Sequence, residues 1–366
     1  MHVGMSVIFQ GFGGTLTDAE VWAAELRLAD LAEPLGFESI WSVEHHFTDY
    51  TMCPDVLQFL TFMAGRTSTV KLGSMVLVLP WHDPLRAAEQ IVLLDHLSGG
   101  RLVLGLGRGT GKVEFDGFRV PMGTARQQFK EAAEAIFGAL ETGVMEYHGE
   151  HVDQPRVELH PAPYASFKGR TYSATVSPES AEIMARLGTG VLVVPQKPWA
   201  QTADEISTYR MTYRAAIGEE PPAPVVAGWT FVDRDAGRAE EQARRWIGAY
   251  WDSVVAHYEF DQPHLKSTPG YEFHGQMYDR LTSPGGAQKM ADFYVGLQPW
   301  GTPEQVYDKV ASFSDLVGAD SFIGVFRFGG MPPEEAERSM RLFAVEVLPE
   351  LQRRSPAAER LDLAGR

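Results

Sequence analysis

The sequence predicts an α/β protein, a (β/α)8 TIM barrel with insertions. Three observations carry that prediction. Short apolar runs alternate with longer amphipathic ones eight times along the chain. The run 71–79 is apolar at nearly every position, as a parallel strand buried on both faces must be. No Ser/Gly-rich or charged tract separates two halves, so residues 1–366 are expected to form one domain. A doubly wound open sheet is the alternative arrangement of the same units.

Residues 3–9 read as the first strand. The helix after it opens at Thr17-Asp18-Ala19-Glu20, where Thr17 can cap and Glu20 can reach back. Val21, Ala24, Leu28, Leu31 and Leu35 then fall on one helical face, and Gly36 stops the run. Strands follow at 39–43, 71–79 and 102–106, with helices at 56–65, 84–97 and 124–142. The stretch 143–169 gathers His148, His151, Pro155, His160 and Pro161 and reads as a small ribbon plus loop. Strands resume at 170–175, 191–194 and 224–232, with helices at 178–187, 199–216 and 235–256. The segment 261–299, rich in Gly, Pro and Tyr, shows no clear period and is expected to be a long, mobile lid. Thr302-Pro303-Glu304-Gln305 opens another capped helix, 321–326 is the eighth strand, and a last helix covers about 333–347.

Lys plus Arg number 32 against 48 Asp plus Glu, a net charge of −16. So acidic a chain argues against nucleic acid and anionic membrane as main partners. The single cysteine, Cys53, excludes an internal disulfide and a CxxC metal site and suits a reducing cytoplasm. Residues 1–9 lack the features of a signal peptide, and no apolar run has the length of a membrane span.

Catalytic groups of a barrel sit at the carboxyl ends of its strands. After the second strand come Glu44-His45-His46-Phe47. One imidazole there can face the barrel mouth and transfer protons. A hydrogen-bonded structural histidine is an equal reading. A metal held by both rings is disfavoured, because successive strand residues point opposite ways. After the fourth strand, Gly105, Gly107, Gly109 and Gly111 surround Arg108. Either the glycines let backbone N–H groups approach a phosphate beside the arginine, or they only make turns. After the fifth, Ser177 and Ser180 at a helix start form an anion site or an ordinary cap. Arg108 and the two serines on neighbouring strands reinforce the phosphate reading. Cys53 and the tryptophans Trp81, Trp199, Trp229, Trp246 and Trp251 read as packing groups, and Asp95-His96 as a helix end.

Together, Glu44-His45-His46-Phe47-Thr48, the run from Gly73 to Pro80, and Leu93-Leu94-Asp95-His96-Leu97-Ser98-Gly99-Gly100-Arg101 leading into Gly105–Gly109 resemble the bacterial luciferase-like flavin monooxygenases, in the pattern of the luciferase alpha subunit. Trp251-Asp252-Ser253, Gly270-Tyr271-Glu272-Phe273 and Gly301-Thr302-Pro303-Glu304 extend the resemblance over nearly the whole chain. It implies an enzyme that takes reduced FMN from a separate flavin reductase and uses O2, through a C4a-peroxyflavin, to oxygenate a small carbonyl or apolar substrate. It also implies a homodimer paired through the helices 56–65 and 84–97. By the family pattern His45 is the catalytic histidine, steered by Glu44 or His46. Arg108, Ser177 and Ser180 hold the flavin phosphate, Val176 meets the flavin through its backbone, and a non-prolyl cis peptide joins Met75 to Val76. No metal is implied. Gly107 stands where luciferase has a reactive cysteine and Val176 where it has a glutamate, so neither light emission nor a fatty aldehyde substrate follows. A deazaflavin (F420) hydride-transfer enzyme and a non-catalytic flavin-binding relative are the alternatives. F420 usually calls for more basic residues than Arg108 and Lys112.

Overall fold

Eight parallel strands close on themselves: β1 (His2–Val7), β2 (Ser39–Ser42), β3 (Lys71–Ser74), β4 (Leu102–Gly107), β5 (Thr171–Ala174), β6 (Gly190–Val193), β7 (Val225–Trp229) and β8 (Ser321–Val325). Each pairs with the next in sequence, and β8 returns to β1 with Gly324 opposite Met5. The computed structural model describes residues 1–13, 15–174 and 178–355. Among them, no helix is long and apolar enough to cross a membrane.

Side chains alternate across a strand, and the barrel divides its core accordingly. Trp41, Val103, Leu192, Val225, Ala227 and Ile323 pack together as a separate apolar cluster, while Ile40 and Leu72 join the larger one shared with the helices. Trp41 lies so close to Gly73 that a Cβ there would sit 2.2 Å from the indole. The indole N–H donates to Ser39 Oγ at 2.8 Å.

Both anticipated capping boxes form, Thr17 with Glu20 and Thr302 with Gln305. Cys53 is fully buried, and Ser42 Oγ donates to its sulfur. Residues 143–169 contain the expected ribbon, an antiparallel pair of Val144–His148 and Asp153–Glu158.

Four expectations change. The run 71–79 is not one strand. Pairing stops at Ser74, whose Oγ donates to Gly105 O, and the cis Met75–Val76 peptide follows. Leu77–Val78 resumes the ladder on Leu106 and Gly107, and a 3-10 turn over Leu79–Trp81 ends it. The strand expected at 224–232 likewise leaves the barrel after Trp229, and Phe231–Val232 pairs with Trp300–Gly301. The segment 261–299 is not an irregular loop. It contains a 3-10 turn, Pro263–Lys266, and two helices, Glu272–Thr282 and Gly286–Leu297. Tyr294 is buried against Trp229, Tyr250 and Trp251, so the segment packs onto the core beside the barrel. Finally, a helix over Lys112–Phe118 has no counterpart in the sequence reading. It is only seven residues long and its Gly111 N-cap supplies no side-chain bond, so neither period nor cap announces it.

Asp95 does more than end a helix. Its buried carboxylate takes both Arg170 nitrogens, at 2.6 and 2.7 Å, and ties the helix Pro84–Ser98 to the start of β5. Glu131, on the helix Ala125–Thr142, performs a similar task for the ribbon. It accepts the backbone N–H groups of His151 (2.7 Å) and Val152 (2.9 Å). Burial raises its carboxyl, but the Gln127 amide and these N–H groups prevail and hold it at about 2. A folded value below the unfolded one means the stabilisation is complete above about pH 4.5 and is lost as pH falls through about 2. Glu131→Ala is therefore expected to cost about 1–3 kcal/mol at pH 7, shrinking toward pH 2. Urea unfolding of both proteins across that range checks it, and equal stability at pH 7 would refute it.

Candidate active site

The carboxyl ends of the strands open into one cavity. His45, Met75, Val76, Arg108 and Ser180 all line it, together with Glu44, Tyr50, Trp81, Arg126, Trp229, Tyr250 and Tyr258. Val176 and Ser177, expected at the same mouth, lie outside the described residues.

The two histidines part company. His46 turns its Nε2 to Glu44 Oε1 (3.1 Å) and packs its ring edge-on against Trp81 and Phe118. Glu44 is buried and shared. The same oxygen takes His82 Nε2 at 2.7 Å, and its other oxygen takes the Val78 backbone N–H at 2.8 Å. Burial raises the Glu44 carboxyl, but His46 and His82 win and lower it. Glu44 and His46 thus brace the turn after Leu77–Val78 and do not steer His45.

His45 instead gives its Nδ1 to Glu114 Oε1 at 2.9 Å. Its Nε2 lies 3.3 Å from the Tyr258 hydroxyl, and its ring meets Tyr50 and His257 edge-on. Burial penalises the charged form of Glu114, yet His45 and His257 hold its carboxyl at about 2. Burial lowers His257 in turn, with Glu114 opposing. Neither Glu114 nor His257 was legible in sequence, because 69 and 212 residues separate them from His45.

The arginine of the expected anion site has a second arginine beside it. Arg108 Nη1 (2.8 Å) and Arg126 Nη2 (3.1 Å) converge on one oxygen, the Gly270 carbonyl. Arg108 also lies over the Tyr271 ring, 4.0 Å from its centroid. Lys112 is not the second cation, because it pairs with Asp116. Two guanidinia aimed at one oxygen form a donor set that suits a phosphate. The glycines around Arg108 serve another end. A Cβ on Gly105 would strike the Ser74 carbonyl at 1.9 Å, one on Gly107 would strike Val76 at 2.2 Å, and one on Gly111 would strike Glu114 Oε2 at 2.4 Å. They clear room for the break in the third strand and for a carboxylate.

The luciferase-like monooxygenase family model matches residues 1–320. The chain belongs to this family. The alkanal monooxygenase alpha chain of Photorhabdus luminescens is 27% identical over 349 residues, 92% of this chain and 94% of that one. Monooxygenase RslO1 from Streptomyces bottropensis superposes with a TM-score of 0.79 at 27% identity, covering 96% of this chain and 99% of that one. Two structures at 16% identity share the fold alone. The oxygenating constituent of 3,6-diketocamphane monooxygenase from Pseudomonas putida, in complex with FMN, has a TM-score of 0.72 over 95% of this chain and 98% of that one. An F420-dependent secondary alcohol dehydrogenase has 0.70 over 96% and 98%. This luciferase-like barrel thus shares its fold with one protein solved with FMN and with another described as F420-dependent. The glycine at 107, the pair Arg108 and Arg126, and the His45–Glu114–His257 cluster are the features of its own site that bear on the chemistry.

Proposed function

We propose that the chain is the oxygenating component of a two-component monooxygenase. A separate reductase supplies reduced FMN, and O2 oxygenates a small carbonyl or apolar substrate. The observation that carries this reading is a single cavity with a histidine on one wall and two converging guanidinia on another. Arg108, Arg126 and Ser180 would hold the flavin phosphate, with Met75 and Val76 against the ring. Reduced FMN, when bound, supplies the electrons that activate O2. His45 holds or moves a proton at Nε2. Trp229, Tyr250, Tyr258 and Val254 give the cavity an apolar, largely aromatic wall that excludes water.

The decisive experiment is anaerobic titration with reduced FMN, then addition of 18O2 with a panel of aldehydes and cyclic ketones. One 18O atom in the product is the expected result. Oxidation of reduced F420 with no 18O incorporated would replace this reading with hydride transfer. Flavin binding without product across the panel would favour a non-catalytic relative.

The same reading carries a dimer. On the two pairing helices, Phe59 and Leu94 belong to the core, but Phe62, Leu93 and Leu97 are about half exposed. They lie on Val56–Ala64 and Pro84–Ser98, which pack side by side. Light scattering is expected to give a mass near twice the 40.5 kDa of one chain. A monomer at micromolar concentration would refute the pairing.

A further inference from the structure

Glu114 stands three residues into the short helix that follows Gly111, with its carboxylate fully buried. Oε1 takes two donors, His45 Nδ1 at 2.9 Å and the backbone N–H of His46 at 2.8 Å. An ionised carboxylate only accepts. Nδ1 of a neutral His45 must therefore carry the hydrogen, which leaves the lone pair on Nε2. The other side of the ring agrees. The Tyr258 hydroxyl is 3.3 Å from Nε2, and burial keeps that phenol protonated, so its hydrogen is available to the Nε2 lone pair.

The carboxylate is also anchored from behind. Glu114 Oε2 lies 3.4 Å from His257 Nε2, within ion-pair distance though not aligned as a hydrogen bond. His257 is buried and stacked on Tyr50 at 4.4 Å, with its Nδ1 2.9 Å from Thr48 Oγ1. Thr48 Oγ1 itself accepts the Tyr50 backbone N–H. Donation of its own hydrogen to His257 Nδ1 leaves the ring hydrogen on Nε2, the nitrogen nearer Glu114. Gly111 keeps the space open. Its φ of −69° suits any residue, but a Cβ would come within 2.4 Å of Glu114 Oε2 and 3.0 Å of His257 Nε2.

We infer that Glu114, backed by His257, is the positioning residue of the site: it holds His45 in the Nδ1–H tautomer, with the Nε2 lone pair toward the cavity. The pairing is made across the barrel mouth and not by the adjacent Glu44. The inference rests on the reading of His45 as the proton-handling group, but its test does not need turnover.

Imidazole 15N NMR of the full chain, metal-free and without flavin, reads the tautomer directly, with His45 assigned by its loss in His45→Asn. The expected result is a protonated Nδ1 and a bare Nε2. Glu114→Leu removes the acceptor and should give a mixture of tautomers. Glu114→Gln keeps a carbonyl oxygen for the two N–H donors and should restore the wild-type state. Gly111→Ala leaves every charge in place but displaces the carboxylate, and should also give a mixture, so the test survives if Glu114→Leu does not fold. FMN affinity should change less than twofold in all of them, since the guanidinium pair is elsewhere. A bare Nδ1 in the wild type would overturn the inference, as would a tautomer unchanged in both Glu114→Leu and Gly111→Ala. His45, Glu114 and His257 also place one ligand atom each within 4.8 Å of one another. Tight Zn2+ binding that requires His257 would make the cluster a metal site with the opposite tautomer, and would likewise overturn it. If the tautomer is as expected but His45→Ala turns over normally, the positioning stands and the catalytic reading of His45 falls.

Discussion

His45→Ala is expected to lower the yield of oxygenated product by about 10²–10⁴-fold, the range for a placed acid–base group. Flavin binding should survive, because His45 is bound to Glu114 and Tyr258, whereas the guanidinium pair meets at the Gly270 carbonyl. Reduced FMN should still be consumed by O2, but the oxygen should appear as hydrogen peroxide. Measuring peroxide and 18O-labelled product in parallel checks both halves. His46→Ala should behave differently. His46 braces Glu44 and packs on Trp81, so its loss should reduce thermal stability with a smaller effect on coupling. Unchanged coupling in the His45 variant would remove it from the mechanism.

Arg108→Ala is expected to weaken reduced-FMN binding by about 1.5–3 kcal/mol, the scale of a lost charge-assisted contact, or about 10- to 150-fold in Kd. Arg126→Ala should weaken it too, since both guanidinia reach the same oxygen. Arg108→Lys should recover only part of the loss. A lysine brings the charge without the planar fork, and it loses the broad contact with Tyr271. Anaerobic fluorescence titration measures all three. Riboflavin, which has no phosphate, should bind wild type and Arg108→Ala equally. Equal FMN affinity in wild type and variant would move the phosphate elsewhere.

Much of the fold was legible because strands buried on both faces and helices with one inward face leave different periods in sequence. The run 102–106 and the helix opened by Thr302 and Pro303 show both signals, and both stand within a residue or two of where they were expected. Two kinds of feature were not legible. The break after Ser74 is apolar on both sides, so composition cannot distinguish it from a continuous strand. Residues 272–282 and 286–297 are separated only by Ser283, Pro284 and Gly285, and their helical periods are too short to stand out.

For the site, the sequence by itself determined which residue types stand at the strand ends: His45 and His46 after β2, Arg108 after β4, Ser180 near the end of β5. A barrel places all strand ends at one mouth, so their proximity follows from the fold class alone. The partners were decided only by the tertiary structure. A hydrogen bond between side chains depends on direction and on distances of about 3 Å, and neither leaves a mark on sequence spacing. Adjacency suggested Glu44 for His45, but the turn aims Glu44 at His46, His82 and the Val78 amide. Glu114 and His257 reach His45 from helices far along the chain, and Arg126 reaches the Arg108 site from another. Charge and position along the chain are local properties, whereas the choice of proton partner is a property of the closed barrel.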